Sequence, residues 1–271
     1  QELLLYLLHR LQKRPFLILL CGRVAELPPT HPLSLPVAAL RRTGASDTIS
    51  PRRFTVEQVQ QLLMASGMGF PAELPQRLFA ETEGLPFFVV EYLNALGQDN
   101  GVLAADAVLT IPATVRDLLH NRLIRIGAAE RQILQTAATA GHSFDLGLVQ
   151  AGSGRSAEEV VMALEMLTAR GLLVEHAAAS EEPVPTVYDF SHNKLRALVY
   201  EEMGPARRRL LHRRLADTLA AQRTPTTAVF ALIGNHYQLA GQETAAAAYF
   251  VQAGDQARAL FAHQDAIHYY R

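Results

Sequence analysis

The 271-residue sequence lacks several features that identify common classes of protein. Its single cysteine, Cys21, excludes a disulfide within the chain, so a reducing cytoplasm is the expected compartment. The histidines include no His-x-x-x-His pair, and no Cys-x-x-Cys is present, so the sequence predicts no metal site. A Gly-x-Ser-x-Gly nucleophile elbow is also absent. Independent hydrolase chemistry is therefore not predicted.

Charge and long apolar runs are also scarce. The formal net charge of −1 gives no global attraction to nucleic acid or to an anionic membrane. The apolar run at residues 3–8 is too short to cross a bilayer and lacks a cleavage site, so we interpret it as part of a core-facing helix. Gln1 stands where a whole protein would have Met, and Arg271 falls within an amphipathic pattern. We therefore expect a fragment of a longer chain.

A phosphate-binding loop is the most informative absence. The two lysines, Lys13 and Lys194, follow no glycine-rich run, and no Gly-x-x-x-x-Gly-Lys-Ser/Thr occurs. Such a loop supplies backbone amides and a lysine to nucleotide phosphates, and an acidic strand supplies the metal ligand. We therefore predict no catalytic residue in this chain.

The N-terminal region has the pattern of an α/β layer. Residues 1–14 are predicted to be helical, and the apolar run at 16–21 is typical of a strand that is buried on both faces. A second short strand is predicted near 48–54. We assign residues 1–54 to the C-terminal end of an α/β nucleotide-binding core.

Residues 55–110 are predicted to form a small helical lid. Thr55 and Gln58 have capping-box spacing, which predicts a helix start. Gly84 is placed to end a second helix, and Pro86 suits the first turn of a third.

The next region, 111–204, has the order of a winged helix. Apolar residues at helical spacing predict several helices, and Ser156 heads another capping box. Two short strands, at 172–175 and 187–190, flank a polar segment that reads as the wing. The third helix carries Glu158, Glu159 and Glu165, which would repel phosphate, so DNA binding by this helix is not expected.

From residue 205 the pattern is entirely helical. Leu211, Leu215 and Leu219 form one apolar stripe, and small residues recur beside aromatics at intervals of about 20 residues, as helical repeats require. We interpret 205–271 as truncated tetratricopeptide-like repeats. The arginines between 207 and 214 favour a solvated helix face over a DNA contact. The predicted fold class is mainly α, with a remnant of an α/β core, a helical lid, a winged helix and the start of an α-solenoid.

Five motifs in this order carry a resemblance to a known family. They are the strand and arginine at 15–23, Glu-Gly-Leu-Pro-Phe-Phe at 83–88, Ile-Pro-Ala-Thr-Val-Arg at 111–116, the segment 188–200 and the segment 207–219. Together they resemble the signal-transducing ATPases with numerous domains (STAND), in particular the AAA-type modules of large bacterial LuxR-like and SARP-like transcriptional regulators.

The resemblance implies roles for four residues. Arg23 matches the sensor arginine that reads the terminal phosphate, and Gly84 with Pro86 matches the Gly-x-Pro that packs on adenine and hinges the lid. His192 matches the winged-helix histidine that reaches the diphosphate of ADP. The parent protein would use ATP or ADP with Mg²⁺ and be an ATPase. The fragment alone, which lacks the phosphate loop and the acidic strand, is not expected to bind nucleotide tightly.

The function implied by the resemblance is that of an ATP-dependent regulatory switch, in a transcriptional regulator of the cytoplasm. Its partners would be the missing N-terminal NTPase core and a protein or small-molecule signal on the repeats. Activation would bring homo-oligomerisation, and DNA would be reached only through a domain outside this chain; no membrane partner is expected. A nucleotide cyclase or kinase could equally be the output. The alternative from another class is a non-enzymatic helical scaffold or adaptor for protein partners.

Overall fold

The computed structural model describes residues 47–67, 69–98, 109–176, 186–221 and 226–271, together with residues 17, 19, 38 and 41. These residues form twelve helices and one three-stranded sheet, so the fold is mainly α as predicted. The predicted first helix and Arg23 lie outside the described residues. Of the predicted buried strand at 16–21 only Leu17 and Leu19 are described, and they contradict the prediction, because neither is in a strand and both are exposed.

Three helices open the described chain: α1 (Val56–Ala65), α2 (Leu74–Thr82) and α3 (Pro86–Gln98). The Thr55 hydroxyl accepts from the Gln58 amide while the Gln58 side chain accepts from the Thr55 amide, which confirms the capping box. Their apolar stripes meet in one core, made by Val59, Leu63, Leu74, Leu78, Val89, Tyr92 and Leu96.

The prediction of a strand near 48–54 is wrong. Residues 47–55 belong to neither a helix nor a strand. The Phe54 amide instead donates to the Gly84 carbonyl at 2.7 Å, so this backbone is engaged by the turn between α2 and α3.

The middle of the chain has the order and pairing of a winged helix. Helix α4 (Ala113–Ile124) leads into α5 (Ala128–Ala140), β1 (Ser143–Asp145), α6 (Leu146–Ser153), α7 (Ala157–Ala169), β2 (Leu173–His176) and β3 (Val187–Phe190). The sheet order is β1-β3-β2, antiparallel throughout, with Phe144 opposite Tyr188 and Leu173 opposite Phe190. Strand β1 was not predicted, because three residues carry no recognisable alternation.

The remaining helices are α8 (Asn193–Glu201), α9 (Pro205–Ala220), α10 (Thr227–Leu239), α11 (Glu243–Ala259) and α12 (His263–Tyr270). From α9 onward, each helix packs against the next one in sequence. Small residues meet aromatic rings at these contacts: Gly234 faces the Phe250 ring, and Gly254 faces the Tyr270 ring. This is the packing that the small-plus-aromatic pattern predicts.

Helix α3 links two cores. Val89 and Tyr92 belong to the core of α1–α3, whereas Phe88 lies in the winged-helix core with Leu195 and Leu198 of α8. Because α8 also contacts α2, the turn between α2 and α3 lies against the start of α8. No described helix combines the length and apolarity needed to cross a bilayer.

Candidate functional site

Two of the four predicted site residues, Gly84 and His192, belong to the contact between the α2–α3 turn and the start of α8, and a third, Pro86, begins α3 directly after that turn. We call this contact the junction and define it by Arg53, Thr82, Glu83, Gly84, Phe88, His192, Asn193 and Lys194 with its partner Glu81. The fourth predicted residue, Arg23, lies outside the described residues.

The turn has two successive residues in the left-handed region. Glu83, which ends α2, has φ 50°, and Gly84 has φ +69°. A Cβ on Gly84 would lie 2.1 Å from the Phe54 carbonyl oxygen, so only glycine allows the backbone of Phe54 to approach this closely. Helix α3 then starts at Pro86, as predicted.

His192 is buried between the turn and α8. It is 4% exposed, and its ring lies edge-on to Phe88 with centroids 4.6 Å apart. Its Nδ1 accepts from the Lys194 amide at 3.0 Å, which caps α8. Its Nε2 lies 2.9 Å from the Thr82 carbonyl oxygen, so this nitrogen carries the proton and donates. Both ring nitrogens are thus bonded within the protein.

The environment of His192 favours the neutral imidazole. Burial lowers its pKa, and nearby Arg53 and Lys194 lower it further, while the Thr82 carbonyl and the Glu83 carboxylate oppose them. A neutral ring with one donor and one acceptor is the form that satisfies both hydrogen bonds.

The carboxylate of Glu83 connects three segments. Its Oε2 lies 2.7 Å from Nη1 of Arg53, and its Oε1 accepts from the Asn193 amide at 2.8 Å. Arg53 also donates to the Ser191 carbonyl at 3.1 Å. Although burial raises the pKa of Glu83, the Asn193 amide and Arg53 together hold it below the usual range. Glu83 is therefore a charged cap on the N-terminus of α8.

A second ion pair belongs to the junction. Lys194, the second residue of α8, pairs with Glu81 of α2. Each partner is at least partly shielded from solvent. The junction is thus a polar contact built around one buried aromatic pair, Phe88 and His192.

Sequence reasoning missed Arg53, and it missed the role of Glu83. Arg53 contacts Ser191 across 138 residues, and Arg53 lies outside all five motifs. Glu83 belongs to the motif at 83–88, but no neighbouring residue in the sequence indicates its left-handed backbone or its capping of α8.

The cationic and imidazole side chains of the junction are engaged within the protein. Arg53, Lys194 and His192 each bond a group of the protein, and the 271 residues contain no phosphate loop. A pocket of about 240 Å³ opens elsewhere, between α4 and α8, and none of the predicted site residues lines it. Within the described part of the chain, no cluster of three or more metal-ligating side chains occurs.

Comparison with known proteins adds a distant relative. No family model matches the chain. An uncharacterized protein of Rhizobium meliloti (strain 1021) is 27% identical over 191 residues, which is 66% of this chain and 18% of that protein. The chain thus spans less than a fifth of the length of that relative.

Proposed function

We propose that this chain is the lid and winged-helix part of an ATP-dependent regulatory switch of the STAND type, working in a transcriptional regulator. The nucleotide would be held by residues outside this sequence. The residues of this chain would report its state, because the lid and the winged helix meet at the junction.

The contact between His192 and the Gly-x-Pro turn is the observation that supports this proposal. Two sequence motifs, one at 83–88 and one at 188–192, lie on the two sides of one contact. A helix cap needs only a short polar side chain. A buried histidine that also bonds the turn therefore links the lid to the winged helix.

The composition of the junction suits a contact that opens and closes. Its hydrogen bonds and ion pairs can exchange with water, and Arg53 is about half-exposed. Because both nitrogens of His192 are engaged, a contact between this ring and any external anion requires the ring to leave the Thr82 carbonyl. His192 would then have two mutually exclusive sets of partners, as a two-state device requires.

The coding sequence upstream of Gln1 gives the first test. A Gly-x-x-x-x-Gly-Lys-Ser/Thr loop followed by an acidic strand, within about 150 residues, a typical domain length, supports the switch. A start codon close to Gln1 with no such loop would overturn it and leave the scaffold alternative.

The second test measures coupling in the protein that includes this upstream sequence. His192→Asn keeps a capping side chain but loses the bond to Thr82, and we expect it to change the ratio of ADP to ATP affinity at least about fivefold. His268→Asn, at an exposed position of α12, is the matched control. Nucleotide affinities that are equal in wild type and His192→Asn would contradict the proposal.

A further inference from the structure

The cavity between α4 and α8 lies outside the junction and has no part in the proposed switch. Its volume is about 240 Å³. Six residues line it: Arg116, Asp117 and His120 of α4, Leu198 and Glu201 of α8, and Glu202 directly after α8. Within each set the residues are at most four positions apart, so each helix presents one face to the cavity.

The two sides of the cavity are held together by an apolar contact and a polar one. Leu119 of α4 and Leu198 of α8 belong to the same winged-helix core, and Leu198, which is 4% exposed, forms an apolar floor. Above this floor, Nδ1 of His120 lies 3.0 Å from Oε1 of Glu202. The two walls are therefore fixed before any ligand arrives, as in most small-molecule sites.

Three charged side chains of the lining have no partner in the described part of the chain. No hydrogen bond or ion pair with another described residue engages the side chain of Arg116, Asp117 or Glu201. In the junction, by contrast, Arg53 and Lys194 each bond a carboxylate. The cavity thus combines free charges of both signs with an apolar floor.

The distribution of these charges selects a class of ligand. The lining has three carboxylates and one guanidinium, so its net charge without His120 is −2, which attracts a ligand with more positive than negative charge. The free carboxylates of Asp117 and Glu201 lie on different helices, so the ligand needs separated cationic groups. Sites for drug-sized molecules measure about 300–1,000 Å³, so this cavity suits a smaller molecule.

We propose that the α4–α8 cavity binds a free basic amino acid, with L-arginine as the probe. Arg116 binds the ligand carboxylate through charge-assisted hydrogen bonds. Asp117 and Glu201 bind the two cationic groups, and Leu198 contacts the aliphatic stem that joins them. No residue of the cavity belongs to the junction, so this proposal goes beyond the proposed switch and does not depend on it.

The affinity should be modest and sensitive to salt. The ligand is small and the lining charges are partly open to solvent, so we expect a dissociation constant on the order of 100 µM to 1 mM at low salt. Screening at high salt should weaken binding.

Isothermal titration calorimetry on the 271-residue chain tests the proposal. L-Citrulline has the size of L-arginine but an uncharged side chain, so it is the matched ligand control. We expect L-citrulline to bind at least about tenfold more weakly than L-arginine, because one carboxylate of the cavity then loses its charged partner.

Three variants assign the contacts. Asp117→Asn and Glu201→Gln should each weaken the binding of L-arginine at least about fivefold by removing a charge. Arg116→Gln should weaken L-arginine but not agmatine, which is arginine without its carboxylate and gains from the loss of a like charge. Glu165→Gln, an exposed acidic position of α7 outside the cavity, is the control and should bind L-arginine like wild type.

Several outcomes would overturn the proposal. They are no saturable binding of L-arginine up to about 10 mM at low salt, equal affinities for L-arginine and L-citrulline, and wild-type affinity for L-arginine in both Asp117→Asn and Glu201→Gln. An Arg116→Gln variant that loses agmatine as much as L-arginine would remove Arg116 as the partner of the carboxylate and overturn the assignment to an amino acid. If a variant does not keep wild-type circular dichroism, the three ligands on the wild-type chain still decide. Nucleotide is absent from every titration, so failure here is distinguishable from failure of the switch.

Discussion

The Nε2 atom of His192 lies 2.9 Å from the carbonyl oxygen of Thr82, which is 110 residues earlier in the chain. The bond joins the end of α2 to the start of α8, and Phe88 packs against the same ring. One side chain therefore links α2 to α8 and also caps α8, and substitutions can separate these two roles.

His192→Asn and His192→Ala should differ in their effect on stability. Asparagine is a favourable N-cap, so His192→Asn should lose mainly the Thr82 bond and the packing on Phe88, at a cost of about 2 kcal/mol. His192→Ala should lose the cap as well, at a cost larger by about 1 kcal/mol. Urea unfolding, monitored by circular dichroism, measures the loss of stability in both variants. Equal costs would show that the cap contributes nothing.

Gly84→Ala should be more destabilising than Gly171→Ala. Both glycines have φ near +70°, at +69° and +65°, but a Cβ on Gly171 meets nothing within 4 Å, whereas one on Gly84 would overlap the Phe54 carbonyl. We expect Gly171→Ala to lower the free energy of unfolding by about 1 kcal/mol, because of the left-handed backbone conformation alone. At Gly84 we expect about 1–3 kcal/mol more, because the carbonyl must move. Thermal or urea unfolding of the two variants gives the difference directly.

Local chemistry explains which parts of the fold could be predicted. The capping boxes at Thr55 and Ser156 depend on residues three positions apart, and the start of α3 depends on Pro86 itself. The apolar stripe of Leu211 and Leu215 follows helical spacing and is buried as predicted.

The rest depends on contacts between distant residues. Nothing near Arg53 indicates that it reaches Glu83 and Ser191, and nothing near His212 indicates that it meets His236, 24 residues on. The motif order brought Gly84, Pro86 and His192 together as candidate residues, but it could not show that His192 bonds the protein through both nitrogens.

Stability should fall with decreasing pH because of a buried histidine pair between α9 and α10. The Nδ1 atoms of His212 and His236 are 2.8 Å apart, and Nε2 of His212 is 2.8 Å from the Tyr200 hydroxyl oxygen. Burial lowers both pKa values to about 4, and for His212 the neighbouring His236 and Arg208 contribute to the shift. Arg208 also lies over the Tyr200 ring.

The direction of this pH dependence follows from the protons that the folded and unfolded chains bind. An unfolded histidine titrates near pH 6.5, so between about pH 6.5 and pH 4 the unfolded chain binds more protons than the folded one. The free energy of unfolding should therefore be greatest above pH 6.5 and decrease toward pH 4, by a few kcal/mol in order of magnitude. Urea titrations across this range should show a smaller decrease for His236→Phe than for wild type. If the free energy of unfolding of His236→Phe depended on pH as steeply as that of wild type, the attribution to the His212–His236 pair would be contradicted. His268→Phe, at an exposed position, is the control and should behave like wild type.

Arg53 and Glu83 should be energetically coupled, although the pair is partly exposed. Their ion pair alone should contribute only about 0.5–1 kcal/mol, because the Arg53 side chain remains 49% exposed. Glu83→Gln keeps the shape of the side chain but removes the charge that Arg53 and the α8 N-terminus share. Arg53→Ala removes the partner together with its bond to the Ser191 carbonyl.

A double-mutant cycle with Arg53→Ala and Glu83→Gln, measured by urea unfolding, isolates the coupling, and Arg52→Ala controls for loss of an exposed arginine next in sequence. We expect a coupling of about 0.5–1 kcal/mol between Arg53 and Glu83 and none between Arg52 and Glu83. Because Glu83 also caps α8, Glu83→Gln should cost more than Arg52→Ala even in the Arg53→Ala background. Additive effects of Arg53→Ala and Glu83→Gln would show that the 2.7 Å contact is energetically neutral, and that His192 and Phe88 join the α2–α3 turn to α8 without it.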